Sequence, residues 1–279
     1  MNEKEYQTIC NFVQKRSGIT LGESKSYLVE SRLGSIAQDF GFDNVGALVR
    51  GLLSAPPKVG DAIVDAMTTN ESFFFRDKTP FELFESVILP ALTKEHGSSG
   101  RIRIWCAAAS TGQEPYSLAM VLLANKHLWA GCEVEIIATD ISPTALQRAE
   151  GGIYTQFEVQ RGLPVQMLVD HFTQKGTNWI ISDKVKSMVK FRHMNLLDPF
   201  VGLGKLDLVF CRNVLIYFDV ETKTKVLEAV HQVMRPTGYL VLGAAETMMG
   251  ITKLFDRSEG RRGLYQPMLE TEKQTALTA

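Results

Sequence analysis

The sequence predicts an α/β protein in two parts: a small all-helical domain, then a mainly parallel sheet with helices on both faces. Three observations carry this. Residues 1 to about 68 place apolar side chains at helical spacing and show no strand signal. From residue 101, short apolar runs alternate with helical segments, as in a parallel sheet. The length, 279 residues, accommodates about two domains at roughly 150 residues each.

The first helix covers Glu5 to Arg16, with Tyr6, Ile9, Phe12 and Val13 on one face and Ser17-Gly18 as its end. A second runs from about Ser24 to Phe40, with Tyr27, Leu28, Leu33 and Ile36 turned inward and Gly41 as the stop. Val45–Leu53 and Gly60–Met67 read as two more, separated by Pro56-Pro57. Such a domain, residues 1–68, is too small to bury much surface alone. Residues 69–100 form a linker and connecting helix. Thr68 to Asp77 (TTNESFFFRD) is the join, and Thr79-Pro80 then supplies an N-cap and a first-turn proline. That helix runs through Phe81, Phe84, Val87 and Ile88 towards Glu95, and His96-Gly97 closes it.

In residues 101–279, strands are expected over Arg101–Cys106, Cys132–Thr139, Leu206–Cys211 and Tyr239–Ala245. Helices are expected from Pro115 to about Trp129, after Ser142-Pro143, and over Val220–Met234. Pro236-Thr237-Gly238 reads as a turn, and Leu254–Met268 as a hairpin around Gly260 to Gly263. Residues 151 to about 190 break the alternation and read as an inserted subdomain. The last ten residues are polar and expected to fray.

Composition narrows the function. Lys and Arg total 30 against 31 Asp and Glu, so the basic excess of a general nucleic-acid binder is absent. The start, MNEKEY, is polar with no apolar h-region after it, and no apolar run is long enough to cross a bilayer, so a cytoplasmic location is expected. Four dispersed cysteines and five dispersed histidines lack metal-ligand spacing, so neither a zinc site nor a disulfide framework is expected.

In an open parallel sheet, ligands bind beyond the carboxyl ends of the strands. Four segments fall there. The first, Cys106-Ala-Ala-Ala-Ser-Thr-Gly-Gln-Glu114, is made of small residues but is neither a dinucleotide fingerprint nor a triphosphate loop. Glu114 would repel phosphate and attract an ammonium or sulfonium, though a helix-start carboxylate also fits there. Asp140 ends the second strand, where an acid accepts ribose hydroxyls or simply caps a turn. Asp207 to Asp219 delivers Arg212, Asn213 and Tyr217 to the same edge, and Arg212 could instead pair with a helix carboxylate. The join places Asn70, Ser72 and Arg76 around three phenylalanines, which by themselves suggest a docking surface between domains.

Taken together, MTTNESFFFRD (67–77), AAASTGQEPYS (107–117), ATDIS (138–142), NLLD (195–198) and FCRNVLIYFD (210–219) resemble the CheR-type chemotaxis-receptor glutamate O-methyltransferases. The resemblance covers about Tyr6 to Gln266. It implies a Rossmann-like S-adenosylmethionine-dependent methyltransferase sheet, an all-helical N-terminal domain and an inserted small β-subdomain. It also implies S-adenosylmethionine as donor, S-adenosylhomocysteine as product and no metal. By position, Asn70, Ser72 and Arg76 would touch the donor, Glu114 its ammonium, Asp140 the ribose, and Asn195 with the Leu196 backbone the adenine end. Cys211, Arg212 and Asn213 would complete the pocket. Arg76 and Tyr217 are the expected catalytic pair, steering an incoming glutamate carboxylate. Arg32 matches one position of the basic second helix that contacts receptor in some members. Residues 1 to 70 hold only 7 basic and 8 acidic residues, so broad charge attraction to a receptor is weak. The stretch Gln174–Trp179 is short, as in members that act without a receptor C-terminal pentapeptide. The expected partner is the cytoplasmic signalling domain of chemotaxis receptors, met by a monomer with no nucleic acid and no membrane insertion. A methyltransferase acting on another substrate and a non-catalytic donor- or product-binding module stay open as alternatives.

Overall fold

The computed structural model describes residues 1–22, 24–258 and 260–268; the last ten residues, expected to fray, lie outside these. The chain forms two compact units. One is Met1–Thr69 with Tyr217–Thr222, the other Asn70–Ile216 with the chain from Lys223 onward.

The first unit holds α1 (Glu3–Ser17), α2 (Ser26–Asp39), α3 (Val45–Gly51) and α4 (Pro57–Met67). A reciprocal capping box starts α1: Asn2 Oδ1 accepts the Glu5 N–H and Glu5 Oε2 accepts the Asn2 N–H. Gly18, left-handed at φ 78°, ends it. Tyr6, Ile9 and Val13 of α1 meet Val29, Leu33 and Ala37 of α2 and Leu48, Ile63 and Met67 in one apolar core. Tyr27 departs from expectation, at 71% exposed. The buried residues of α2 recur every fourth position from Val29, and a residue two positions away faces the opposite side. The segment 217–222 closes this unit. Thr20 N–H donates to the Tyr217 carbonyl at 2.8 Å, and Gln14 Nε2 to Asp219 Oδ2 at 2.7 Å.

The rest of the chain forms, in order, α5 (Thr79–Leu83), a π-turn (Phe84–Ile88), α6 (Leu89–His96), β1 (Arg101–Ala107), α7 (Gln113–Ala124), β2 (Glu133–Asp140) and α8 (Pro143–Gly151). There follow β3 (Ile153–Thr155), α9 (Gln156–Gln160), α10 (Val165–His171), β4 (Phe172–Lys175), β5 (Asn178–Ile181), α11 (Asp183–Lys186) and β6 (Val189–His193). Then come β7 (Leu206–Cys211), α12 (Val220–Val233), β8 (Met234–Leu242), β9 (Phe255–Arg257) and β10 (Leu264–Pro267). The main sheet runs β6-β2-β1-β7-β8-β10-β9. Its first five strands are parallel, and β10 pairs antiparallel with β8 and β9. A separate antiparallel sheet, β3-β5-β4, occupies the insertion.

Several boundaries differ from the sequence reading, each for a local reason. Thr79 is not an N-cap: the helix starts on it, behind Lys78 at φ 49°. Pro90 has no N–H for the Ser86 carbonyl, and the wider π-turn before it absorbs the mismatch, with Leu89 N–H reaching Phe84 O. Pro236 to Gly238 is a bulge inside β8: Leu206 pairs with Met234 and Leu208 with Tyr239, so the strand starts five residues earlier than expected. β6 had no counterpart in the expected strands. Its signal is the alternation of Val189 and Phe191 with Lys190 and Arg192.

Candidate active site at the carboxyl edge of the sheet

Register alone assembles the site. His193 pairs with Asp140, Ala107 with Thr139 and with Cys211, and Cys211 with Leu242. The segments that follow β6, β2, β1 and β7 therefore leave one edge side by side.

The loop after β1 is held in an uncommon backbone. Ala108, Ser110 and Gly112 all have positive φ, at 56°, 52° and 93°. Hydrogen bonds over-determine it, as sustained strain requires. Ala109 N–H donates to Thr139 O at 2.9 Å, Ser110 N–H to Asp140 Oδ2 at 2.8 Å, and Ser110 Oγ to Asn70 O at 3.0 Å. At Gly112 a Cβ would lie 2.9 Å from Ala149 Cβ, so only glycine lets α7 pass α8 this closely. The buried Tyr154 hydroxyl of the insertion donates to Thr111 O at 2.9 Å from below.

Asp140 is buried, and its second oxygen accepts the Ser142 N–H at 2.8 Å. Two backbone donors thus aim the carboxylate. Met194 N–H donates to the Asp140 carbonyl at 3.0 Å, which brings Asn195 and the buried Leu196 beside it. Asn195 Oδ1 accepts the Leu197 N–H at 3.1 Å and shapes that turn.

Glu114 stands in the first turn of α7. Burial pushes its carboxyl above the ordinary value, opposed by the adjacent Arg212. Arg212 Nη1 donates to Glu114 Oε2 at 2.8 Å, while Nη2 reaches the Arg76 carbonyl at 2.9 Å and Asp77 Oδ2 at 2.8 Å. The Arg212 side chain is 1% exposed. Its two terminal nitrogens are thus spent on protein groups, the helix-carboxylate pairing that the sequence left open, while the buried Nε meets no acceptor among the described residues. Among the described residues no hydrogen bond engages Glu114 Oε1. Cys211 is fully buried, and burial raises its thiol well above the ordinary range, so it contributes backbone and shape, not thiolate chemistry.

The join wraps over this edge. Asn70 Nδ2 lies 3.4 Å from Ser142 Oγ, and Phe75 N–H donates to Ser117 Oγ at 3.0 Å. Phe75, Asp77 and Lys78 have positive φ, so the strap around Arg76 is strained. Arg76 donates to Glu71 O at 3.0 Å and sits over the Phe73 ring; among the described residues no carboxylate pairs with it. Ser72 is half-buried. The phenylalanines pack inside their own unit: Phe74 makes edge contacts with Tyr154 and Phe172 of the insertion, a Cβ on Gly162 would lie 2.1 Å from the Phe74 carbonyl, and Phe75 meets Phe81 of α5.

Two expected site residues belong to the other unit. Arg32 Nη1 donates to the carbonyls of Met67 and Thr68 at 3.0 and 2.8 Å, so it caps the negative end of α4. Tyr217 is anchored there through its carbonyl. Sequence reasoning missed Ser110, Tyr154 and Glu246. Glu246 follows β8 and accepts the N–H groups of Asn213, Val214, Leu215 and Gly243 at 2.7–3.0 Å. Its signal was an acid shortly after a predicted strand, the same cue that identified Asp140.

The donor set suits a cationic ligand bearing vicinal hydroxyls: small residues at the backbone turn, one carboxylate oxygen that no hydrogen bond engages among the described residues and a second carboxylate aimed by backbone N–H groups. Among the described residues no helix is long and apolar enough to cross a membrane. A five-stranded parallel sheet closed by an antiparallel pair, with acids at the start of α7 and the end of β2, fits an S-adenosylmethionine-dependent methyltransferase. Comparison with known proteins agrees. The family model "CheR methyltransferase, SAM binding domain" matches residues 70–264, and "CheR methyltransferase, all-alpha domain" matches residues 4–68. The chain belongs to the CheR methyltransferase family. It is 43% identical over 248 residues to "Chemotaxis protein methyltransferase 1" of Pseudomonas aeruginosa, covering 88% of this chain and 90% of that one. It is 41% identical over 253 residues to "Chemotaxis protein methyltransferase Cher2" of Pseudomonas putida, covering 88% and 91%. It is 40% identical over 260 residues to "Chemotaxis protein methyltransferase 1" of Vibrio cholerae, covering 92% and 94%.

Proposed function

We propose that this chain methylates glutamate side chains on the cytoplasmic signalling domains of chemotaxis receptors. The observation that carries the reading is that the sheet's carboxyl edge presents the carboxylates of Glu114 and Asp140 near Arg76, which among the described residues forms no ion pair with a carboxylate. S-adenosylmethionine supplies a methyl group activated by its sulfonium, and a receptor carboxylate accepts it, leaving a glutamyl methyl ester and S-adenosylhomocysteine.

The chain's own residues bind, orient and exclude water. Glu114 Oε1 takes the donor's ammonium, and Asp140 takes the ribose hydroxyls. Asn195 and the Leu196 backbone face the adenine end, with Asn70, Ser72 and the Cys211–Asn213 turn completing the walls. The incoming carboxylate is ionised near neutral pH, since its ordinary pKa is about 4.3, so no general base is required. Arg76 steers that carboxylate. Alignment of this kind is worth up to about 7–11 kcal/mol.

Residues 1–68 and the insertion select the substrate, and the enzyme works as a cytoplasmic monomer. The β4–β5 connection supports recognition without a receptor C-terminal peptide. Lys175 pairs with Asn178, so the turn is only Gly176 and Thr177. The test is incubation of the purified chain with methyl-labelled donor and a panel of receptor signalling domains. Base-labile label on glutamate is expected. Label that resists base, or none on any receptor, overturns the reading.

A further inference from the structure

Glu246 lies outside every motif that led to the site, yet its carboxylate accepts four backbone N–H groups at the sheet's carboxyl edge. Oε1 accepts the N–H groups of Val214 and Leu215 at 3.0 and 2.8 Å. Oε2 accepts those of Asn213 and Gly243 at 2.8 and 2.7 Å. The carboxylate therefore ties the turn after β7 to the turn after β8. Charge-assisted bonds of this type are about twice as strong as neutral ones. Asn213 is held at φ 58°, a region that costs an L-residue free energy unless its surroundings fix it. The peptide joining Arg212 to Asn213 is pinned through its N–H by Glu246, while the Arg212 side chain reaches the other way to Glu114 and Asp77.

We infer that Glu246 is a positioning residue of the donor site, setting the Arg212–Asn213 turn and, through Arg212, the orientation of Glu114. The inference rests on the donor site proposed above. No other described carboxylate accepts the N–H groups of residues 213–215, so nothing else in the turn replaces the clamp. In Glu246→Gln one oxygen becomes an NH2, which places donors against two of the four N–H groups. Gly243→Ala reaches the clamp from the other side with Glu246 intact. The new Cβ would lie 2.7 Å from Glu246 Oε2 and 2.8 Å from Asn213 Nδ2.

The experiment is calorimetric titration of wild type and both variants with S-adenosylhomocysteine, below the melting range set by circular dichroism, followed by kcat and KM for the donor. Wild type is expected to bind. Both variants are expected to bind about tenfold or more weakly with their folded spectra retained, and KM for the donor to rise more than kcat falls. A clamp that serves stability alone would lower the melting temperature and leave affinity within about twofold of wild type, and that result overturns the inference. Should Glu246→Gln fail to fold, Gly243→Ala decides by the same criterion. Absence of binding by wild type would instead sink the donor site itself.

Discussion

Arg76 and Glu114 carry opposite charges and opposite tasks, and Arg212 ties their neighbourhoods together. Among the described residues Arg76 forms no ion pair with a carboxylate, although its charge is felt by Glu114, and its backbone is held by Arg212. Arg76→Ala should lower kcat on receptor by roughly 100-fold under saturating donor, and wild-type turnover in that variant would remove Arg76 from the mechanism. Glu114 gives a pH signature. Burial raises its carboxyl above the ordinary value, so it takes up a proton sooner than a surface glutamate as pH falls. Only the ionised form attracts an ammonium. Donor affinity should therefore weaken as pH drops from neutrality through the raised pKa and strengthen as it returns. Titrations across that range check this, and Glu114→Gln should bind weakly with the acid-side dependence removed.

Elements meet at two places where one residue decides the packing. Gly112 lies between the loop after β1 and α8, with φ at 93° and Ala149 in the space a side chain would need. Gly112→Ala should cost about 1–3 kcal/mol from strain and overpacking, read as a lower urea midpoint. At the opposite edge, Asp207 is 1% exposed at the start of β7. It accepts from the Arg103 N–H at 2.8 Å and pairs with His96 Nε2 at 2.7 Å and Arg235 Nε at 3.0 Å. It thereby ties the end of α6 and the bulge of β8 to β1. Asp207→Ala leaves the Arg103 N–H and the His96 ring without their acceptor and should lower stability by about 1–3 kcal/mol, measured by denaturant unfolding. Donor affinity at low temperature should hardly move, because Asp207 lies at the amino end of its strand.

For the molecule as a whole, charge is balanced: the formal net charge is −1. The helical domain shares that balance, and Arg32 spends its guanidinium on the end of α4. Steered association falls steeply with ionic strength, whereas contact between near-neutral surfaces does not. The rate of receptor methylation should thus change by less than about threefold as salt rises from low to physiological strength. A steep decline would point to a charged docking surface formed by the receptor's own acids and a local patch of this chain.

Local rules sufficed wherever one residue's neighbours along the chain settled its conformation. Gly18 as the stop of α1, the Ser142-Pro143 start of α8 and the apolar run of β7 are of this kind, and so is the alternation of strand and helix that defines the fold class. The acids at the ends of β2 and at the start of α7 could be named because the sheet's edge is where a parallel architecture leaves room. What chain order could not supply were bonds between residues far apart in it. Arg212 satisfies Glu114 and Asp77 from about 100 and 135 positions away, and Glu246 closes on a turn 31 to 33 residues earlier. A buried charge takes whichever partner packing brings within reach, and that choice is made by strand register and the approach of helices, after every local preference has been met.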